Sequence, residues 1–284
     1  MTTKNQVAET KDNSENLPAY LKGLSDNERY NDDNFDQSDV VVPRVKLSQA
    51  LSEEVEAFED AKAGTFWHTG FDINLGSEFE FVICARKKKY MLVAPLEDGQ
   101  GILARSEDCK TWDTTGSWQV KIKGEKKPVE WAINDRNVAK SGLTEWGTHN
   151  PNDPDSPPAA TLFYEYLVVL PQHLDLGPAV ISLTRSQIRR AKRGLNDKIS
   201  LHESNGRPMQ ALIFVAKSTD DKNADGNAFK NWQFVGGGFA PEDIFTKARE
   251  MKDMLKNYKV QGEGEYEGDE ARAKSSAADD DTEY

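Results

Sequence analysis

Apolar positions in this chain fall into short runs of strand length, and the densest of them lie between Thr161 and Asn196. Thr161-Leu-Phe-Tyr-Glu-Tyr-Leu-Val-Val-Leu170 is apolar or aromatic at nearly every position, the pattern of a strand covered on both faces. Pro171 stops it, and a second run, Pro178-Ala-Val-Ile-Ser-Leu183, follows a turn containing Gly177. Thr184 or Ser186 can then cap a helix over Arg185–Arg193, and Gly194 is placed to end it as the C′ residue. On a 3.6-residue period Ile188, Ala191 and Leu195 share a face. Arg185, Arg189, Arg190, Lys192 and Arg193 make the rest of that helix a cationic ridge beside a rigid sheet.

The remaining pattern is also predominantly β. Order is expected to begin at Val40–Leu47, with a weakly periodic helix over Leu51–Phe58. Thr65–Thr69 reads as a strand, 72–76 as a turn, and Glu78–Cys84 as a strand that leaves the core through Arg86–Lys89 and returns at Tyr90–Val93. Residues 97–160 form a long insertion with strand-like pieces at Trp118–Ile122 and Val129–Ile133, ending in the Pro-rich loop His149–Pro158. Such excursions are more often functional than accidental. Ala211–Ala216 and Phe229–Val235 predict a hairpin closed by 220–226, and Gly236–Gly238 a flexible joint. From Pro241, the positions Ile244, Phe245, Ala248, Met251, Leu255 and Tyr258 repeat at helical spacing. The fold class is therefore mostly β with a few helices, in a domain spanning about 40–260. Acidic segments at 1–39 and 261–284 are expected to be disordered, with a short recognition helix over Pro18–Leu24.

Charge changes this picture. Residues 1–60 carry 6 Lys/Arg against 14 Asp/Glu, and 261–284 carry 2 against 9, so a chain of net −12 has a body, 61–260, of net +3. Net charge alone would argue against nucleic acid; its distribution does not. Met1–Glu15 lacks the apolar core of a signal peptide, and no apolar run approaches the roughly 20 residues of a membrane span. With two cysteines outside any motif, Cys84 and Cys109, the expectation is a cytoplasmic protein with no membrane partner.

No phosphate-binding loop, dinucleotide fingerprint, nucleophile elbow or HExxH helix is present. His68, His149, His173 and His202 lack metal-ligand spacing, so neither metal nor other cofactor is expected, and the protein is read as a non-enzyme. A metal-dependent nuclease is a lesser alternative, resting on Asp72, Glu78 and Glu80 near Lys87, whose chemistry would require those carboxylates to converge. Basic residues interleaved with aromatics are better represented. Arg86, Lys87, Lys88 and Lys89 precede Tyr90 with no acid beside them in sequence; Lys121, Lys123, Lys126 and Lys127 lie between Trp118 and Trp131; the 185–193 helix is the third group. Cations of this kind neutralise phosphates, and aromatic faces, with Tyr90, Trp112, Trp118 and Trp232 as candidates, stack on unpaired bases. Solvated strand ends and buried tryptophans are the competing reading for each group.

The last residues, Ser275-Ser-Ala-Ala-Asp-Asp-Asp-Thr-Glu-Tyr284, combine a small-residue linker, an acid run and a terminal aromatic. This resembles the tails of bacterial and podoviral single-stranded DNA-binding proteins. That resemblance implies an OB-like barrel, a tail that recruits replication or recombination enzymes, and competition between tail and DNA. By the same resemblance Asp279, Asp280, Asp281, Glu283 and Tyr284 would bind the partner. Pro43–Ser52, Ala63–Phe66 and Leu75–Val82 are similar to phage-encoded proteins of replication and recombination regions, which implies a host-cytoplasmic setting. The expected function is sequence-independent binding of single-stranded DNA, with a homodimer as a possible assembly. The alternative from another class is a non-enzymatic protein-interaction factor, recombination-directing or host-takeover, whose basic helix meets an acidic partner.

Overall fold

The computed structural model describes residues 42–95, 98–222 and 226–254, all within one unit of the chain. Its eleven strands are β1 (Val45–Leu47), β2 (Phe66–His68), β3 (Ile73–Gly76), β4 (Glu78–Val93), β5 (Ile102–Ser106), β6 (Gly116–Val120), β7 (Val129–Ile133), β8 (Ala160–Val169), β9 (Pro178–Thr184), β10 (Leu212–Lys222) and β11 (Ala228–Phe239). The helices are α1 (Glu53–Ala57), α2 (Val138–Ser141), α3 (Arg185–Ala191), α4 (Asp197–Ser204) and α5 (Glu242–Met254). The protein is mostly β, as its sequence pattern requires.

The main sheet is antiparallel, ordered β11-β10-β4-β8-β9, with β5 pairing the far end of β4. It does not close into a barrel, so the OB-like closure implied by the resemblance is absent; β9 and β11 remain edges. Both edges are shielded locally. Val180 on β9 bridges Arg44, while the Gln49 side chain accepts from the Lys230 amide (2.9 Å) and donates to its carbonyl (3.0 Å). β1-β2-β3 and the β6–β7 hairpin form two smaller sheets.

β4 is the spine. It is one 16-residue strand rather than two pieces separated by a basic exit. A bulge between Ile83 and Ala85 rephases it, and β8 then runs opposite as far as Leu92, placing Glu165 directly across from Lys87. Mid-strand cations are therefore held by carboxylates from elsewhere in the fold.

One face of the sheet packs Phe81, Ile83, Tyr166, Val168, Phe214 and Trp232 beneath Ile188, Ala191, Leu195 and Ile199. The other face packs Val82, Cys84, Leu167 and Val169 against Ile244 and Ala248 of α5, whose helical spacing is as expected; Leu255 and Tyr258 lie outside the described residues. Cys84 is a fully buried strand hydrophobe, its thiol pushed up to about 12 by burial. The insertion has a core of its own, built from Leu92, Ala104, Trp112, Val120, Trp131, Ile133, Val138 and Leu143.

Three local expectations change. The basic helix does not stop at Gly194: α3 runs through one π-helical turn, Lys192–Asn196, into α4. Gly194 is buried there, and a Cβ on it would sit 2.6 Å from Cβ and 2.8 Å from the carbonyl oxygen of Phe234 in β11. Glycine is placed by close approach, not by a left-handed cap. Gly236–Gly238 is no joint; it completes β11 beside a bulge at Ile213/Phe214. Residues 73–76, expected as a turn, form β3. The acidic segments 1–39 and 261–284, with the helix over 18–24 and the tail residues Asp279 to Tyr284, lie outside the described residues.

Candidate nucleic-acid interface

The Arg86–Lys89 cluster is largely satisfied within the protein. Strand alternation puts Arg86 and Lys88 on one face and Lys87 and Lys89 on the other. Arg86 reaches Glu203 of α4 at 3.1 Å; Lys87 contacts Glu107 at 2.8 Å and Glu165 at 3.4 Å; Lys89 contacts Glu165 at 2.8 Å. Burial would lower the Lys87 ammonium, but Glu107 and Glu165 outweigh it and hold it above its ordinary value. Lys89 is 1% exposed, so it cannot reach a phosphate, and its assignment as a DNA contact is corrected. Lys88 alone of the four is exposed without an ion pair among the described residues, its ammonium 5.0 Å above the Tyr164 ring.

The helix ridge behaves differently. Thr184 occupies the N-cap position and its amide donates to Gln187 Oε1 at 3.0 Å. Ile188, Ala191, Leu195 and Ile199 anchor the continuous helix to the sheet, and Tyr166 donates its hydroxyl hydrogen bond to Asn196 in the π turn (3.1 Å). Arg185, Arg189, Lys192 and Arg193 are exposed, and none makes an ion pair among the described residues. Arg190 is the exception. It bridges Asp221 at 2.9 Å, and that carboxyl is held down to about 2 by the Asn231 side chain, then by Arg190 itself. The ridge is thus four free guanidinium and ammonium groups on one helix, with a fifth pinned to β10.

The candidate aromatics divide by burial. Trp112 is fully buried and its indole donates to Ser141 Oγ at 3.2 Å; Trp232 is 2% exposed, packed on Phe66 and Phe234. Neither can stack on a base in this fold, because each fills a core that hydrophobic burial holds closed; both assignments are corrected. Tyr90 and Trp118 are half-buried against the insertion core, with Trp118 directly across from Trp131. Lys121 and Lys123, at the end of β6, are exposed, as are Lys126 and Lys127.

Sequence reasoning missed Trp146, which is 72% exposed in the 142–158 loop. A lone aromatic in a polar loop carries no periodic signal, so only the three-dimensional placement reveals it. In the same loop, burial lowers the His149 imidazole, and the charge of Arg185 lowers it further.

The carboxylates of the nuclease alternative do not converge. Glu78 pairs with Lys217 at 2.7 Å, Glu80 lies across from Val215 along the same strand, and Asp72 sits in the exposed turn before β3. Among the described residues no group of three His, Cys, Asp or Glu could hold a metal ion.

A family model described as Pam3 phage gp34-like protein matches residues 9–261. The chain belongs to that phage protein family. No curated protein and no solved structure matches it. Among the described residues no helix is long and apolar enough to cross a membrane.

Proposed function

We propose that this phage-family protein is a non-enzymatic binder of single-stranded DNA, acting without sequence preference in phage DNA replication or recombination in the host cytoplasm. The observation that carries the reading is the contrast between the two basic clusters. On β4, Arg86, Lys87 and Lys89 are consumed by Glu107, Glu165 and Glu203, whereas Arg185, Arg189, Lys192 and Arg193 stand exposed, and unpaired among the described residues, on a helix fixed to the sheet. Keeping such charges unpaired forgoes available stabilisation and suits a polyanion track. Lys88, Lys121 and Lys123 supply further positive charge. The acidic tail, Asp279 to Tyr284, would recruit replication or recombination enzymes and screen the ridge from weak ligands.

The test is fluorescence anisotropy of labelled oligo-dT and a matching duplex over a range of salt concentrations. Four ridge phosphate contacts correspond to a log–log salt slope of about −3 on a single strand. Tight dT binding with such a slope, a weaker duplex signal, and tighter binding on deletion of 275–284 would support the reading. Absence of binding to either nucleic acid at low salt, with the tail removed, would replace it with a protein-interaction role for the same helix.

A further inference from the structure

We propose that the cavity between the Met209–Ala211 turn and α5 is a binding site for a nucleoside monophosphate, with the phosphate on Arg249 and Lys252 and an amino group of the base on Gln210. The site is distinct from the ridge. α5 packs on the sheet face opposite the one that carries α3, so it stands or falls independently of single-strand binding there.

The cavity measures about 410 Å³ and is lined by Pro208, Gln210, Arg249 and Lys252. Pockets for small ligands run from about 300 to 1,000 Å³, so the space suits one compact molecule. Its wall is built on the spine of the fold. Cys84 falls at the bulge of β4 and pairs with no residue of β8 or β10, and its carbonyl accepts from Gln210 Nε2 at 2.8 Å. A carbonyl can only accept, so this bond fixes which end of the Gln210 amide is nitrogen. Oε1 is left as an acceptor without a hydrogen-bond partner among the described residues, on a side chain that lines the cavity although the residue is only 3% exposed. A buried amide oxygen held in one orientation and left unfilled calls for a donor from outside.

Two cations stand over the same space. Arg249 and Lys252 are exposed, three residues apart on one face of α5, and neither makes an ion pair among the described residues. The Arg249 guanidinium lies over the Phe245 ring one turn earlier, 5.6 Å from its centroid, a contact that steadies it without using its N–H groups. A phosphate monoester carries about −1.5 to −2 charges at neutral pH, which two cations match; a singly charged carboxylate would leave one of them uncompensated. Inorganic phosphate would fill the cationic side alone. The amino groups on the edges of adenine, cytosine and guanine supply the donor that Gln210 Oε1 lacks. Such a phosphate could belong to a free nucleotide or to the end of a DNA strand, since the chemistry is the same.

The experiment is calorimetric titration of the full chain with dAMP, dCMP and dGMP, against the matching nucleosides, deoxyribose 5-phosphate and inorganic phosphate. At least one nucleotide should bind, and its nucleoside and inorganic phosphate should each bind about ten-fold more weakly or worse. Arg249→Ala and Lys252→Ala, both at exposed positions, should each weaken the nucleotide about ten-fold, the loss of one charge-assisted contact. Arg207→Ala removes an exposed cation next to Pro208 that does not line the cavity, and should stay within about two-fold of wild type. Gln210→Met should bring the nucleotide down to the affinity of deoxyribose 5-phosphate while leaving the latter unchanged, a comparison that holds even if the variant is less stable. Displacement of the nucleotide by a 5′-phosphorylated oligo-dC, but not by the unphosphorylated strand, would support the site with a strand end as its ligand; displacement by neither would support it with a free nucleotide. No binding of any of the three nucleotides at millimolar concentration, inorganic phosphate binding as tightly as they do, or an affinity indifferent to both Arg249→Ala and Lys252→Ala would overturn the site.

Discussion

Gly194→Ala tests how the ridge is seated. In an ordinary helix interior the change would be stabilising by about 1 kcal/mol, since alanine is the better helix former. Gly194 has a helical backbone in the π turn, so that gain is available here. Opposing it, the new methyl would lie 2.6 Å from Phe234 Cβ and 2.8 Å from Phe234 O, whereas carbon atoms rest at about 3.5–4.0 Å. The helix would have to lift by about 1 Å, loosening the contacts of Ala191, Leu195 and Ile199 with the sheet. Overpacking of this kind costs about 3 kcal/mol at the upper end of its range, which fits a clash with backbone that cannot rotate away. The net is about 2 kcal/mol of destabilisation, or a fall in Tm of about 4–8 °C for a domain of this size. Truncating the Phe234 side chain would not rescue it, because its Cβ and carbonyl remain. Gly142→Ala is the control: φ there is +73° with nothing within 4 Å, so it should cost about 1 kcal/mol through backbone strain alone. Thermal and urea melts of both variants decide the matter. A Gly194→Ala protein as stable as wild type, or more so, would refute the close-approach argument.

Glu165→Gln removes the carboxylate facing buried Lys89 and half-buried Lys87, and should cost about 3 kcal/mol in a urea melt; Lys89→Met with Glu165→Leu should recover most of it, and a single variant as stable as wild type would show the pair to be idle. The imidazoles of His68 and His149 are held below their ordinary value, chiefly by burial. The unfolded chain therefore takes up their protons first as pH falls, and stability should decline from about pH 6.5 downward, above the range where carboxylates titrate. A urea midpoint independent of pH between 7.5 and 5.5 would contradict this, and His68→Gln should flatten the slope. Arg189→Ala and Arg193→Ala should each reduce the salt slope of dT binding by about 0.7, whereas Arg86→Ala, whose partner is Glu203, should change it less; equal losses at all three would mean that pairing does not decide which cations bind.

Strand content was legible because period-2 alternation and short apolar runs are local signals. β8, β9 and the β6–β7 hairpin fall within a few residues of their sequence-based positions, and so do α1 and the start of α5, whereas β10 runs on from Ala216 to Lys222, into the segment read as the hairpin loop. The continuity of β4 was not legible, since four consecutive cations end a strand by any local rule. What overrides that rule is Glu165, whose place opposite Lys87 depends on the bulge at Ile83 and on a register with a strand about eighty residues away. Gly194 misled for a related reason. A glycine after a helical run fits a C′ cap locally, and only the proximity of Phe234 shows that it serves packing instead.

For the interface the same asymmetry has a consequence that reaches beyond this chain. Three basic clusters of similar appearance in sequence turn out to be three different objects: a salt-bridged strand, a solvated hairpin end and an unpaired helical ridge. Acids next to a cation in sequence are a poor guide to its availability, because Arg86, Lys87 and Lys89 take partners 117, 20 and 76 residues away. Helical position is the better guide. A ridge facing away from its own buried stripe has no strand neighbour to donate a carboxylate, so Arg185, Arg189, Lys192 and Arg193 stay unpaired among the described residues, and Arg190 is paired because it is near enough to β10 to meet Asp221. The aromatic counterpart obeys the opposite logic. Tryptophans within patterned strands, such as Trp131 and Trp232, are drawn into the core by that pattern, and the most exposed one, Trp146, belongs to a loop segment without such a pattern.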